Sequence, residues 1–139
     1  MARYRRLQAV VSVGRDIDEL FDRFFGPGST DSIWQPLVDV FTSGDRIHIL
    51  AEIPGIEADD IRVTVGPNTV ELRGRKRVPE GIRRGASFYE AEIPYGEFEK
   101  RIALPFPVEP NRFKIKLENG VLSLQLDRAR TRIREIAIE

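Results

Sequence analysis

From Trp34 onward, apolar and polar side chains alternate with the period of two that belongs to strands. Ile47, Ile49 and Ala51 alternate with His48, Leu50 and Glu52, and Ile61, Val63 and Val65 alternate with Arg62 and Thr64. Ahead of them Val38, Val40 and Phe41 run into a turn at Ser43-Gly44-Asp45, and Gly66-Pro67-Asn68 separates Val65 from Val70 and Leu72. Further strands are predicted at 87–92, 98–104, 113–117 and 121–126. The last two are joined by Glu118-Asn119-Gly120, and Asn-Gly is the strongest short hairpin signal because both central residues of the tight turn take a positive φ. Pro54, Pro94, Pro105, Pro107 and Pro110 fall between predicted strands, where they cost no ladder bonds. Short strands at regular spacing, with no helix among them, predict an all-β sandwich or barrel.

The pattern before Trp34 is different. Asp16 is placed to cap a helix on which Ile17, Leu20, Phe21, Phe24 and Phe25 follow helical spacing, and Gly26-Pro27-Gly28-Ser29 stops it. Two readings stand for this element: an amphipathic helix packed on its own domain, or an arm whose exposed aromatic residues meet partners. Three segments follow: an N-terminal arm over 1–33, a β-domain over 34–127 and an extension over 128–139.

The extension ends Ile136-Ala137-Ile138-Glu139, and in an extended chain both isoleucines face the same way. A chain end is ordinarily polar and frayed unless it is tied down. The pair therefore reads as a plug for an apolar groove on this or another subunit, or as one more strand of its own domain.

Charge and composition narrow the chemistry. Lys+Arg and Asp+Glu both number 22 in 139 residues, so there is no global attraction to polyanions, and a chain without net charge resists association poorly. No cysteine is present, which excludes disulfides, thiolate metal sites and Cys nucleophiles. Val10-Val11 is broken by Ser12 and Gly14, too short a run for a signal peptide or a membrane span, so the chain is expected to be soluble and cytoplasmic. His48 is the single histidine and alternates with isoleucines, the position of a surface strand residue rather than a metal ligand or triad member. No phosphate-cradling glycine loop and no paired acid–base constellation is present, so no catalytic residue, metal ligand or cofactor is expected. Arg73, Arg75, Lys76, Arg77, Arg83 and Arg84 form a basic run without interleaved aromatics, followed by Glu90, Glu92, Glu97 and Glu99. It reads as a solvated loop or as one limb of a charge pairing across a dimer, and no nucleic-acid partner is expected.

Several segments, in order along the chain, resemble the small heat-shock proteins of bacterial and archaeal type, whose shared core is the α-crystallin domain. They are Trp34-Gln35-Pro36-Leu37-Val38-Asp39, Ala51-Glu52-Ile53-Pro54-Gly55-Ile56 with Asp59-Asp60-Ile61, and Val70-Glu71-Leu72-Arg73-Gly74. Tyr95-Gly96-Glu97-Phe98 with Leu104-Pro105, Leu117-Glu118-Asn119-Gly120-Val121-Leu122 and Ile136-Ala137-Ile138 complete the series. Where the family pattern carries arginine this chain has Lys100 beside Arg101, Glu92-Ile93-Pro94-Tyr95-Gly96 lacks a second family arginine, and Ile115 stands in place of an alanine. Lysine cannot reproduce arginine's planar bidentate pairing.

The resemblance implies an immunoglobulin-like β-sandwich with a short helical arm and an extended tail, dimerising and then assembling further. It implies a chaperone that holds unfolding clients without ATP, and not an enzyme. Carried onto this chain, the terminal pair Ile136 and Ile138 would dock in a neighbour's groove lined by Ile61, Val63 and Val65 on one side and Phe113, Ile115 and Leu117 on the other. A loop over 76–95, with a short strand around 87–92, would be exchanged with the partner subunit. Its interface would use Ser87, Phe88, Tyr89, Glu90, Tyr95, Lys100 and Arg101, while Ile17, Leu20, Phe21, Phe24 and Phe25 of the arm would contact clients. The partners implied are copies of the chain itself and unfolded proteins, with no membrane. A β-sandwich adaptor docking on an ATP-driven chaperone is the alternative, although such modules generally lack the exchanged loop and the terminal Ile-x-Ile.

Overall fold

The computed structural model describes residues 9–10, 33–83, 85–130 and 137–138. The predicted arm helix, with Ile17, Leu20, Phe21, Phe24 and Phe25, lies outside the described residues, as does Ile136.

Among the described residues there are eight strands: β1 (Ala9–Val10), β2 (Val38–Ser43), β3 (Arg46–Glu52), β4 (Ile61–Val65), β5 (Thr69–Lys76), β6 (Gly96–Ala103), β7 (Val108–Glu118) and β8 (Val121–Arg128). They form two four-stranded sheets, ordered β1-β4-β5-β6 and β2-β3-β8-β7. The alternation read from the sequence is what stacks them. In β3, β4 and β8 every second residue is buried, and Ile47, Ile49, Ile61, Val63, Val65, Val70, Leu72, Phe98, Leu122, Leu124 and Leu126 fill the space between the sheets. Burying each such side chain stabilises by about 1.5–3 kcal/mol, so the inner faces hold the fold together.

The turns obey their sequences. Asn119 and Gly120 both take positive φ, 52° and 75°, and join β7 to β8 with Glu118 opposite Val121. Gly44, at φ 59°, opens the two-residue turn between β2 and β3, where Ser43 faces Arg46.

Trp34 fixes how the sheets superpose. Its backbone N–H donates to the Glu97 carbonyl at 3.2 Å, and its carbonyl accepts from the Glu99 N–H at 3.1 Å, along the outer edge of β6. Its ring meets Phe98 with centroids 5.0 Å apart. By Leu37 the chain has crossed to the other sheet, where the Leu37 carbonyl accepts from Glu52 N–H at 3.0 Å. The β6 and β2 edges therefore stack on one flank of the sandwich, which leaves β4 and β7 together on the other. The Val108 N–H, at the start of β7, donates to the Pro67 carbonyl of the β4–β5 turn at 2.9 Å, on that second flank.

Four expectations need correction. Residues 87–92 are not a strand, because no ladder partner within the described chain reaches them and a lone strand leaves its backbone unpaired. Pro110 lies inside β7 rather than between strands, at the register shift between Val108 and Phe113, where an edge strand tolerates a missing N–H. The chain between the strands is not free of helix: α1 (Glu80–Arg83) and a 3₁₀ turn at Ala58–Asp60 are single turns in connections. The basic run does not begin in a solvated loop, since Arg73, Arg75 and Lys76 belong to β5.

Arg73 in fact lies in an ion network on the outer face of the first sheet. Glu71 is only 2% exposed and is paired with Arg73, whose Nη2 donates to Glu99 Oε1 at 3.2 Å. Arg101 Nε lies 3.3 Å from Glu99 and 3.5 Å from Glu71. Arg77 meets Asp60 through two hydrogen bonds of 2.8 Å, which raises the guanidinium pKa above its ordinary value.

Two stability predictions follow from this packing. Gly74 lies in register between Ile61 and Phe98, and a Cβ there would stand 2.3 Å from the Asp60 carbonyl oxygen and 2.4 Å from Phe98 Cζ. Gly74→Ala is expected to lower stability by at least about 1–3 kcal/mol in urea unfolding, the range for overpacked cores. Glu71→Gln, which leaves the buried Arg73 with Glu99 as its carboxylate partner, is expected to cost about 1–3 kcal/mol, the range for a buried group that loses one of its charged partners. Glu71→Leu combined with Arg73→Met should recover most of that loss in the same measurement.

Candidate functional site

On the β4/β7 flank, the inner-face residues of two edge-side strands converge. Ile61, Val63 and Val65 are buried, whereas Phe113, Ile115 and Leu117 pack on the core while remaining half-exposed. The difference follows from topology. β4 is hydrogen-bonded on both sides, to β5 and to β1, while β7 has only β8 among the described residues. The six predicted groove residues are thus brought to one flank, and its open apolar wall is the β7 wall. Ile138 is 98% exposed and packs in no groove among the described residues.

The β2/β6 flank is the second candidate surface. β2 pairs with β3 alone among the described residues, so its outer backbone edge has no ladder partner among them, and Leu37, Val40 and Phe41 are exposed along it. Phe41 stacks on half-buried His48 at 5.0 Å on the outer face of the second sheet, because its register with His48 turns it away from the core. These two residues, with Leu50, Lys114 and Gln125, border a shallow cleft of 260 Å³ on that face.

The connection from β5 to β6, over 77–95, carries Phe88 and Ile93 exposed and Tyr89 fully so, at 100%. Ser87 and Glu90 are exposed there as well, and Tyr95 is half-buried with the Lys76 ammonium 5.9 Å from its ring centroid. Lys100 and Arg101 do not act as a pair. Lys100 sits opposite Leu72 on the inner side of β6, half-buried, while Arg101 sits opposite Glu71 in the outer ion network. The loop leads into β6, and Arg101 belongs to the outer face of the first sheet.

The strand at Ala9–Val10 was missed from the sequence, which gave those residues no more than a broken apolar run. The signal available was Val11-Ser12-Val13, whose β-branched residues two apart match strand spacing. Among the described residues no group of three or more His, Asp or Glu side chains is placed to hold a metal ion.

Comparison with known proteins agrees with this architecture. Residues 39–139 match the Hsp20/alpha crystallin family model. A 22.7 kDa class IV heat shock protein of Pisum sativum is 36% identical over 78 residues, covering 56% of this chain and 40% of its own length. A 22.0 kDa heat shock protein of Arabidopsis thaliana is 33% identical over 89 residues, 64% of this chain and 46% of that one, so the chain spans less than half the length of these relatives. Small heat shock protein C2 of Rickettsia felis is 24% identical over 117 residues, 79% of this chain and 75% of its own. Among solved structures, a small heat-shock protein from Xylella fastidiosa superposes with a TM-score of 0.62 at 29% identity, over 78% of this chain and 99% of that chain. Heat shock protein 16.0 from Schizosaccharomyces pombe gives the same fold with a TM-score of 0.62 at 23% identity, over 76% of this chain and 99% of the other. None of these relatives is named for an enzyme activity. With its two-sheet sandwich, its apolar flank and a family match that spans most of its length, this chain belongs to the Hsp20/alpha crystallin family.

Proposed function

We propose that the protein is an ATP-independent chaperone that binds unfolding proteins and keeps them from aggregating, built from dimers that assemble further. The observation that carries this reading is the set of large apolar side chains around two strand edges that have no ladder partner among the described residues. Leu37 is 75% exposed beside β2, Tyr89 and Phe88 stand on the loop, and Phe113, Ile115 and Leu117 line the β4/β7 flank. A monomer gains nothing from such exposure, whereas a chain that associates with itself and with unfolded segments uses it.

In the dimer, the loop over 77–95 of one subunit adds to the open β2 edge of the other, and its residues 87–92 acquire there the ladder they lack in their own chain. The β-domain over 34–127 is the unit that pairs, with the arm over 1–33 and the extension over 128–139 as its reach toward clients and neighbours. The arm residues Ile17, Leu20, Phe21, Phe24 and Phe25 offer helically spaced apolar contacts to clients. Ile136 and Ile138 latch into the flank of a neighbouring subunit. Burying each isoleucine is worth about 1.5–3 kcal/mol, and ordering the tail costs on the order of 1 kcal/mol per residue, so one latch is weak and repetition makes it hold. The proposed setting is the cytoplasm; among the described residues no helix is long and apolar enough to cross a membrane.

The purified chain at stoichiometric ratio is expected to suppress light scattering by a heat-aggregating client without ATP, and unchanged scattering would sink the chaperone reading. Ile136→Ser combined with Ile138→Ser is expected to lower the native mass to that of a dimer while leaving the β-sheet circular dichroism signal intact. An assembly of unchanged mass would remove the latch and leave the sandwich dimer standing.

A further inference from the structure

Arg77 is the first residue beyond β5, and its side chain is tied down. Its Nε donates to Asp60 Oδ2 and its Nη2 to Asp60 Oδ1, both at 2.8 Å, the two-bond geometry in which guanidinium and carboxylate match. Exposed ion pairs ordinarily contribute little, because two long side chains must be ordered at once. Here only one is long. The Asp60 side chain is 11% exposed, against 68% for Arg77, and the Asp60 N–H donates to the Glu57 carbonyl at 2.9 Å. The carboxylate is therefore a rigid anchor, and the arginine alone is ordered to meet it. We propose that Asp60 and Arg77 form a root clasp that aims the 77–95 loop away from its own sandwich, presenting residues 87–92 to the β2 edge of a second copy. The inference rests on the loop-exchange reading above and names the pair that positions the loop.

The place of the clasp gives it this use. β5 is complete at Lys76, opposite Gly96, so the ladder has no need of Arg77. What Arg77 restrains is the direction in which the chain leaves the sheet. Val78 precedes Pro79, which confines Val78 to extended backbone. The Pro79 carbonyl then accepts from the Ile82 N–H at 3.0 Å in the single turn of α1. A direction set at Arg77 is thus carried to the end of α1. The returning limb is held at its root as well, since the Lys76 ammonium stands over the Tyr95 ring. Between these roots, none of the described residues from 85 to 94 makes a backbone hydrogen bond to the rest of the chain, and Phe88, Tyr89 and Ile93 are exposed. Without the clasp the loop samples directions from which 87–92 cannot reach a partner. The fraction competent to pair then falls, and the dimer weakens in proportion. Arg77 touches no partner in this scheme; it is a positioning residue.

The test is amide hydrogen exchange, read by mass spectrometry on the full chain. The native chain is compared with Arg77→Gln, with Arg77→Lys and with Arg112→Gln, which removes the same charge from β7. In the native chain the amides of 87–92 are expected to be protected by the partner's β2. Arg77→Gln should speed their exchange at least about fivefold, the factor by which the competent population falls, while β5 and β8 keep their protection. Arg77→Lys, which keeps the charge and loses the planar fork, should restore part of the protection, and Arg112→Gln should match the native chain. Three results overturn the clasp while the exchanged loop stands: equal protection of 87–92 in Arg77→Gln and the native chain, an equal loss in Arg112→Gln, or a loss that extends through β5 and β8. Native 87–92 amides that exchange at the unprotected rate overturn the loop exchange and the clasp together.

Discussion

Two stacked sheets have four outer edges, and each edge is a row of backbone donors and acceptors that must be paired, covered or left to attract another chain. The behaviour of this protein depends on how those edges are met. Burial of the inner faces makes the sandwich stable, but it does nothing for the edges. Trp34 ties off part of β6, and Ala9–Val10 caps β4. β2 and β7 have one neighbour each among the described residues, and apolar side chains gather beside them. Association is the ordinary physical consequence of such a distribution, and the family to which the chain belongs fits it.

The two flanks differ in what they expose. The superposition fixed by Trp34 and Leu37 puts β2 and β6 on one side and β4 and β7 on the other, so the exposed apolar residues along β2 are separated from the half-exposed ones along β7. Between them, the outer face of the first sheet is closed by charge rather than by apolar contact. Glu71, Arg73, Glu99 and Arg101 neutralise one another there, and a sheet face satisfied in this way offers no apolar surface to a stray partner. Gly74 marks how closely the layers approach, since only the absence of a Cβ lets Phe98 and the Asp60 carbonyl fit against β5.

Much of this was legible in advance, and the misses share a cause. Alternation in 46–52, 61–65 and 121–128 located inner faces correctly because the period of a strand is a local property. Asn119-Gly120 announced its turn for the same reason. The six residues read as a groove were gathered by resemblance, and they lie on β4 and β7. Residues 87–92 have strand chemistry and no strand, because a ladder needs a second backbone, and none of the described residues brings one to them. Arg73 sat within a basic run and turned out to be buried beside Glu71, a partner two residues away across whose charge the linear pattern gives no geometry.

By itself, then, the sequence determined strand periodicity, turn positions, the apolar inner faces and the family, all of them set by neighbouring residues or by short ordered motifs. Only the tertiary structure decided which edges meet, that Ala9–Val10 holds the β4 edge in parallel, and that Phe41 stacks outward on His48. Those outcomes depend on pairing between segments far apart in the chain. The free energy of such pairing is a property of two backbones brought together, and no single segment carries it in its own pattern.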